Sequence, residues 1–175
     1  MRIRLATSVD VPRILRIVHK VVPLMQAVGN FQWDESYPLE EHFHADIVSR
    51  HLWVAEDEVR SVIAGFAAIT TIQSQEYADA GCDLSMLSVI PHRMAIDVSY
   101  RRQGIALLLF KKAEDLAREI GYPYVRVDTN SGNNAMRALL LKAGFLLKGE
   151  IFLSGLGQMK FCCYEKSVSP SPSMT

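Results

Sequence analysis

The sequence predicts an α/β fold in three layers (α/β/α), with parallel strand pairing at the centre of its sheet. Three observations carry that prediction. The second half of the chain reads strand, helix, strand, helix, strand, an order that forces crossover connections. The helix that opens this series, from Ile105 to Ile120, has a clean apolar face. The first half supplies apolar runs of strand length at His51–Glu56 and Val62–Ile72.

The elements follow in order. Ile3 and Leu5 alternate with Arg2 and Arg4 in a first strand. Thr7 or Ser8 caps the next helix, with Asp10 in its first turn and Pro12 near its start. Val11, Ile14, Leu15, Val18, Val21 and Val22 form its buried stripe, and Pro23 is expected to bend or end it. Residues 29–38 read as a loop with aromatic content, and Leu39–Arg50 as a second helix. The two strands named above follow, joined by the polar turn Asp57-Glu58-Val59-Arg60. Residues 74–83 read as loop, and Leu84–Val98 as a long strand interrupted around Pro91.

On the central helix, Ile105, Leu108, Leu109, Ala113, Leu116, Ala117 and Ile120 share one face. Lys111, Lys112, Glu114, Asp115, Arg118 and Glu119 take the other, and Gly121 ends the helix. Tyr124–Asp128 is a short strand and Asn130–Asn134 a polar loop. A helix from about Asn134 to Ala143 stops at Gly144. Phe145–Leu153 and Lys160–Tyr164 close the sheet around the turn Gly155-Leu156-Gly157. The length, 175 residues, fits a single domain over residues 1–166, with the Ser-Pro-rich stretch 167–175 expected as a disordered tail.

Composition narrows the function. Lys plus Arg and Asp plus Glu both number 19, which argues against a general nucleic-acid binder. No apolar run reaches membrane-spanning length, and Met1–Leu5 has no signal-peptide character, so a cytoplasmic location is expected. Cys82, Cys162 and Cys163 have neither a disulfide framework nor zinc spacing, so no metal is expected.

The most informative stretch is residues 94–110, where a buried strand, a tight basic turn and an amphipathic helix follow without a gap. Helix N-terminal amides lack intrahelical partners and sit at the positive end of the macrodipole, which makes a phosphate site. Gly104 allows close backbone approach, and Arg101 and Arg102 add charge.

Arg101-x-x-Gly104-x-Ala106 resembles the acyl-CoA pyrophosphate motif of the GNAT N-acetyltransferases. Ile96-Asp97-Val98 resembles the family's apolar-x-apolar strand end. Asn130 or Asn133, followed by Lys142-Ala143-Gly144-Phe145, resembles its Asn loop and short final helix. The resemblance is specific over residues 94–153, and Gln32-Trp33-Asp34 and Tyr37-Pro38 resemble one bacterial subgroup.

The resemblance implies a mixed, mostly antiparallel sheet whose central parallel pair splays. It implies direct acetyl transfer from acetyl-CoA to a primary amine of a small molecule, peptide or protein. The pantetheine arm would pair with the backbone of Ile96, Asp97 and Val98. Arg101, Arg102, Gln103, Gly104, Ile105 and Ala106 would hold the pyrophosphate, and Asn133 would contact the cofactor arm. The family's usual acid, a Tyr in the last short helix, is replaced by Leu140, which leaves water or Tyr164. His92, Asp97 and Glu76 are the base candidates. Trp33 and Tyr37 read either as a core edge or as the wall of an acceptor pocket. The missing Tyr also motivates a rival reading, a weakly active acyl-CoA-binding sensor or interaction module. No nucleic-acid or membrane partner is expected, and the resemblance admits a homodimer.

Overall fold

The computed structural model describes residues 1–168; the expected tail residues 169–175 lie outside the described residues. Within the described residues there are seven strands and four α-helices. They are β1 (Arg2–Leu5), α1 (Val11–Gln26), α2 (Glu40–Val48), β2 (Leu52–Asp57), β3 (Val62–Thr70) and β4 (Ser88–Ile96). Then come α3 (Ile105–Ile120), β5 (Tyr124–Asn130), α4 (Asn134–Lys142), β6 (Leu146–Phe152) and β7 (Lys160–Ser167). The strand order is β1-β2-β3-β4-β5-β7-β6, an open mixed sheet. Neighbours β1/β2, β2/β3, β5/β7 and β6/β7 are antiparallel. β4 and β5 are parallel, with Ser88 opposite Tyr124 and Val89 opposite Val125, a short ladder for strands of nine and seven residues. No helix among the described residues is long and apolar enough to cross a membrane.

The chain divides into two compact units. The first holds Met1–Ile69 and His92–Lys112. Its core joins Val11, Ile14, Ile17, Val18 and Val21 of α1 to Phe43, Phe66 and Trp33. The entry to α1 is set by Thr7 and Asp10: Asp10 Oδ2 accepts from the Thr7 amide at 2.9 Å, and Arg4 grips the same carboxylate at 2.8 and 2.9 Å. Pro23, expected to bend or end α1, does not end it: the helix continues to Gln26, where the Ala27 amide bonds to Pro23 O at 3.0 Å.

The second unit holds Thr70–Pro91 and Ala113–Thr175. Tyr77, Cys82, Ile90, Ile151, Phe161 and Cys163 form an apolar cluster in it. Beside them Arg126 is fully buried on β5, donating to Glu165 Oε2 at 2.7 Å, Gln73 Oε1 at 2.6 Å and the carbonyls of Asp83 and Met86 at 2.9 and 3.1 Å. This tie organises the 74–83 stretch, which is a 3-10 turn (Gln75–Ala78) with Tyr77 buried rather than an open loop.

Several expectations shift. The long strand begins at Ser88, not Leu84, and β5 runs on to Asn130. On α3, Leu108 and Ile120 are exposed, while Glu114 is buried, bonded to Lys166 Nζ at 2.6 Å and Arg118 Nη2 at 3.2 Å. Two cations satisfy a carboxylate that periodicity alone assigns to solvent. At the C-terminal end, Ser167 belongs to β7 and Val168 is buried, its amide donating to Pro123 O at 2.8 Å.

Candidate active site

In the first unit, the end of β4, a 3-10 turn and the start of α3 form one continuous anchored segment. Gly65 of β3 admits the end of β4. A Cβ there would meet Ile96 Cδ1 at 2.6 Å and Ala95 O at 3.0 Å. The Asp97 amide donates to Ala64 O on β3 at 2.8 Å. Successive residues of a strand direct their amides to opposite sides, so the Ile96 N–H and C=O point away from β3.

The Asp97 side chain is buried and fully engaged. Oδ1 accepts from the Ser99 amide at 2.9 Å and Oδ2 from Lys20 Nζ at 2.9 Å. Burial pushes its carboxyl up, but the Ser99 amide and the Lys20 ammonium more than offset this and hold it below the usual carboxylate range. Asp97 therefore caps the turn over Val98–Tyr100 and is a weak base. The far side of the turn is fixed by Tyr100, whose buried hydroxyl donates to Asp57 Oδ2 at 2.7 Å.

Residues 101–104 are exposed. Arg102 and Gly104 both take left-handed backbone, with φ of 63° and 78°. At Gly104 a Cβ would meet nothing within 4 Å, so the space beside this glycine is open. The Leu108 amide bonds to Gly104 O at 3.2 Å. The amides of Ile105, Ala106 and Leu107 therefore precede the first intrahelical bond, at the positive end of α3. The Gln103 side chain folds back onto Ser99 O at 3.2 Å, leaving its backbone as its contribution to the loop.

His92 lies on β4 in the same unit, partly buried. Burial first, then the neighbouring Arg93 charge, pushes its imidazole down to about 4. Arg93 itself has φ 43°. Its guanidinium grips Asp46 at 2.6 and 2.9 Å and Tyr37 Oη at 3.0 Å, which holds the left-handed residue in place; the strand itself runs unbroken through Pro91, where an interruption was expected. Trp33 is buried, stacked on Phe66 at 6.4 Å, so it is core. A groove of about 760 Å³ runs between α1 and residues 34–40. Leu15, Val22 and Pro38 are among its apolar lining, and Asp34, Glu35 and Glu40 among its acidic lining.

In the second unit, Asn133 caps α4. Its Oδ1 accepts from the Met136 amide at 3.2 Å and its Nδ2 donates to Thr129 Oγ1 at 3.1 Å. One N–H and one lone pair of the amide remain. Tyr164 is buried on β7, and Arg137 Nε of α4 reaches its hydroxyl at 3.4 Å. Leu140, one turn beyond Arg137, is fully buried. Glu76 bonds to Ser74, the Ser154 hydroxyl and the Ser154 amide, and these donors hold its carboxyl down at about 2. It ties two loops together and is a poor proton acceptor. Burial pushes the Cys163 thiol up, and its sulfur lies 3.8 Å from Cys82 Sγ. No group of three or more His, Cys, Asp or Glu side chains among the described residues is placed to hold a metal.

Among the polar contacts that sequence reasoning missed is the pair of Tyr77 and Asp128. Tyr77 Oη donates to Asp128 Oδ2 at 2.6 Å. Burial raises the Asp128 carboxyl above its ordinary value. The available signal was the spacing of Arg126 and Asp128, two charged residues on one face of an otherwise apolar strand.

A family model described as "Acetyltransferase (GNAT) family" matches residues 19–145. Among solved structures, a GNAT-family acetyltransferase from Streptococcus agalactiae 2603 superposes with a TM-score of 0.80 at 24% identity, covering 96% of this chain and 95% of that one. A putative acetyltransferase from Staphylococcus aureus Mu50 gives 0.71 at 27% identity, covering 97% and 100%. A ribosomal-protein-alanine N-acetyltransferase from Brucella melitensis gives 0.69 at 22% identity, covering 96% and 100%. No curated protein sequence matches.

Proposed function

Because this chain belongs to the GNAT family of acetyltransferases, we propose that it transfers the acetyl group of acetyl-CoA directly to a primary amine of a small molecule or peptide. Residues 1–166 act as one catalytic domain in this reading. The observation that carries it is the anchored turn from Asp97 to Ile105, with open space at Gly104 and partnerless amides at the head of α3.

Each part of the segment has a task. The Ile96 backbone, directed away from β3, and the Val98 N–H are left for the pantetheine amides, while the Val98 carbonyl is taken by the Arg101 amide at 3.4 Å; an N–H there polarises the thioester carbonyl. The amides from Arg102 to Ala106 take the pyrophosphate, with Arg101 and Arg102 adding charge. Asn133 reaches the cofactor arm through the N–H and lone pair that its cap leaves over. Placing an amine beside an activated thioester supplies much of the rate.

Proton transfer sorts the remaining candidates. His92 at about 4 and the depressed Asp97 give conjugate acids too strong to hold a proton taken from an ammonium. Their roles are structural. Tyr164 is the donor for the leaving thiolate, its hydroxyl sitting beside the turn of α4 where the family places its own Tyr. The structural relative named for ribosomal-protein alanine keeps peptide amines among the acceptors. A second reading, a CoA-binding module with little turnover, is favoured by Leu140, which fills the usual Tyr position with buried hydrocarbon.

Calorimetric titration with acetyl-CoA, CoA and ATP tests the proposal. Micromolar binding of the two CoA compounds without ATP is expected, followed by thiol release on addition of amines. Absence of CoA binding refutes both readings. Binding without thiol release supports the second.

A further inference from the structure

We propose that Cys82 and Cys163 are a site of covalent modification, at which a peroxide joins their sulfurs in a disulfide that fastens the 75–83 segment to β7. The two residues stand 81 positions apart in sequence, which conceals the pair, and folding within the second unit brings their Sγ atoms to 3.8 Å. Both thiols are free, and acetyl transfer assigns a task to neither.

The backbone sets this distance. Gly149 lies opposite Cys163 in the β6/β7 ladder. A Cβ at Gly149 would meet Ala80 Cα at 3.0 Å and Ala80 O at 3.2 Å, so glycine lets the segment lie flat against the sheet. Gly81 then turns the chain with φ 81°. The Cys82 amide donates to Tyr77 O at 3.1 Å, and on its other side Asp83 O accepts from the buried Arg126 at 2.9 Å. Cys82 is thus clamped from both sides by bonds that do not involve its own sulfur. Two sulfurs already in van der Waals contact need side-chain rotation and little backbone movement to bond.

The same ladders select the partner. Cys163 lies opposite Asp128 and Gly149, whereas Cys162 lies opposite Thr129 and Glu150. Successive residues of a strand direct their side chains to opposite faces. Cys163 shares the apolar cluster of Tyr77, Cys82, Ile151 and Phe161, and Cys162 is turned away from it.

The two sulfurs are not equivalent. Cys82 keeps 6% exposure and Cys163 none, so an oxidant meets Cys82 first. Burial pushes both thiols up, Cys163 the further, and the Cys163 S–H donates to the Cys82 sulfur. Cys82 is therefore the first to ionise and to be oxidised.

The step balances. The Cys82 thiolate attacks one peroxide oxygen, the O–O bond breaks, and a sulfenic acid forms. The departing hydroxide takes up the proton that Cys82 released and becomes water. The Cys163 sulfur then attacks the Cys82 sulfur, the S–O bond breaks, and the second hydroxide leaves as water with the Cys163 proton. The two thiols lose two electrons and the peroxide gains them.

The test takes the full chain, reduced and freed of reductant, through hydrogen peroxide, denaturation, alkylation and peptide mapping by mass spectrometry. Melting curves and hydrogen exchange are recorded before and after oxidation. The expected product is a single chain lighter by two hydrogen atoms, alkylated at Cys162 alone, with Cys82 and Cys163 in one crosslinked peptide pair. Cys162→Ala is expected to form the same link, and Cys82→Ala and Cys163→Ala to form none. Closing a loop of about 80 residues is expected to raise Tm by about 10 °C, reversibly with dithiothreitol. Exchange of the 75–83 amides is expected to slow. The wild-type map needs no variant, so a variant that folds poorly does not blunt the test. Three alkylated cysteines after peroxide overturn the proposal. So does a link through Cys162, a link between two chains, or Cys82 carried to the sulfinic acid with Cys163 still free. A Cys82–Cys163 link that leaves Tm and exchange unchanged overturns it too, because the segment is then not fastened.

Discussion

Replacing Gly104 separates backbone strain from charge at the proposed pyrophosphate loop. Gly104 has φ 78°, and a Cβ there meets nothing within 4 Å. Gly104→Ala therefore meets no steric block and costs only the left-handed backbone penalty, about 1 kcal/mol. That cost falls equally on free and bound protein. It lowers Tm by about 2–4 °C for a chain of this size and leaves acetyl-CoA affinity nearly unchanged. Gly104→Glu carries the same penalty and adds an anion beside two phosphates. At about 5 Å, with an effective dielectric of about 40 for an exposed loop, each charge pair repels by about 1.7 kcal/mol. Two phosphates give about 3 kcal/mol, or about a 10²-fold loss of affinity. The assay is calorimetry on both variants at low salt and near 1 M salt, with melting curves as the stability control. The difference between the variants narrows at high salt, where the Debye length is about 3 Å. Equal affinities for the Ala and Glu variants at low salt refute the assignment of Gly104 to an anion site.

Other tests address His92 and Leu140, to which the proposed function gives no chemical step. The native His92 imidazole resists protonation down to about 4, whereas the unfolded chain binds that proton near 6.5. Its contribution to stability is therefore fully present above pH 6.5 and is lost as pH falls toward 4. The shift corresponds to about 3 kcal/mol. Urea midpoints measured at pH 7 and pH 4 are expected to fall more steeply for wild type than for His92→Gln; parallel losses contradict the assignment. Leu140→Tyr inserts a ring and a hydroxyl at a fully buried position. It is expected to cost about 1–3 kcal/mol through overpacking and to bring no gain in turnover. A stable, faster variant in a melt and a thiol-release assay points instead to a reachable cleft at Leu140 and a limiting acid.

The parts of this molecule that were readable from sequence are governed by local rules. Gly104, Gly121 and Gly144 mark left-handed backbone that side chains disfavour, and all three take it, with φ of 78°, 76° and 84°. The Thr7–Asp10 cap and the α3 and α4 spans follow from spacing within a single turn of helix. What escaped is polar and long-range. Arg126 finds the carbonyls of Asp83 and Met86, Arg93 finds Asp46, and Tyr77 finds Asp128 across 51 residues of chain. Strand alternation gives the face of such a residue but not its depth or its partner. Asp97 shows both. Its place on the motif is local, while its partner, the Lys20 ammonium 77 residues away in sequence, leaves no mark in the sequence.

This division has a chemical reason. Binding a pyrophosphate and polarising a thioester use backbone amides, which impose glycine and helix-start signals that can be read directly. A thiolate, with a model thiol pKa of about 8.5, leaves with little help, so the acid is under weak demand and Leu140 is tolerable where a Tyr is usual. The acceptor ammonium, with an amine pKa of about 10.4 in the case of a lysine side chain, must lose its proton before it can attack. The demand for a side chain therefore falls on the base. Such a base depends on burial and on partners that folding assembles from distant residues. In the proposed function the motif speaks for the acyl donor, whereas the acceptor's chemistry depends on pairings that only the folded chain brings together.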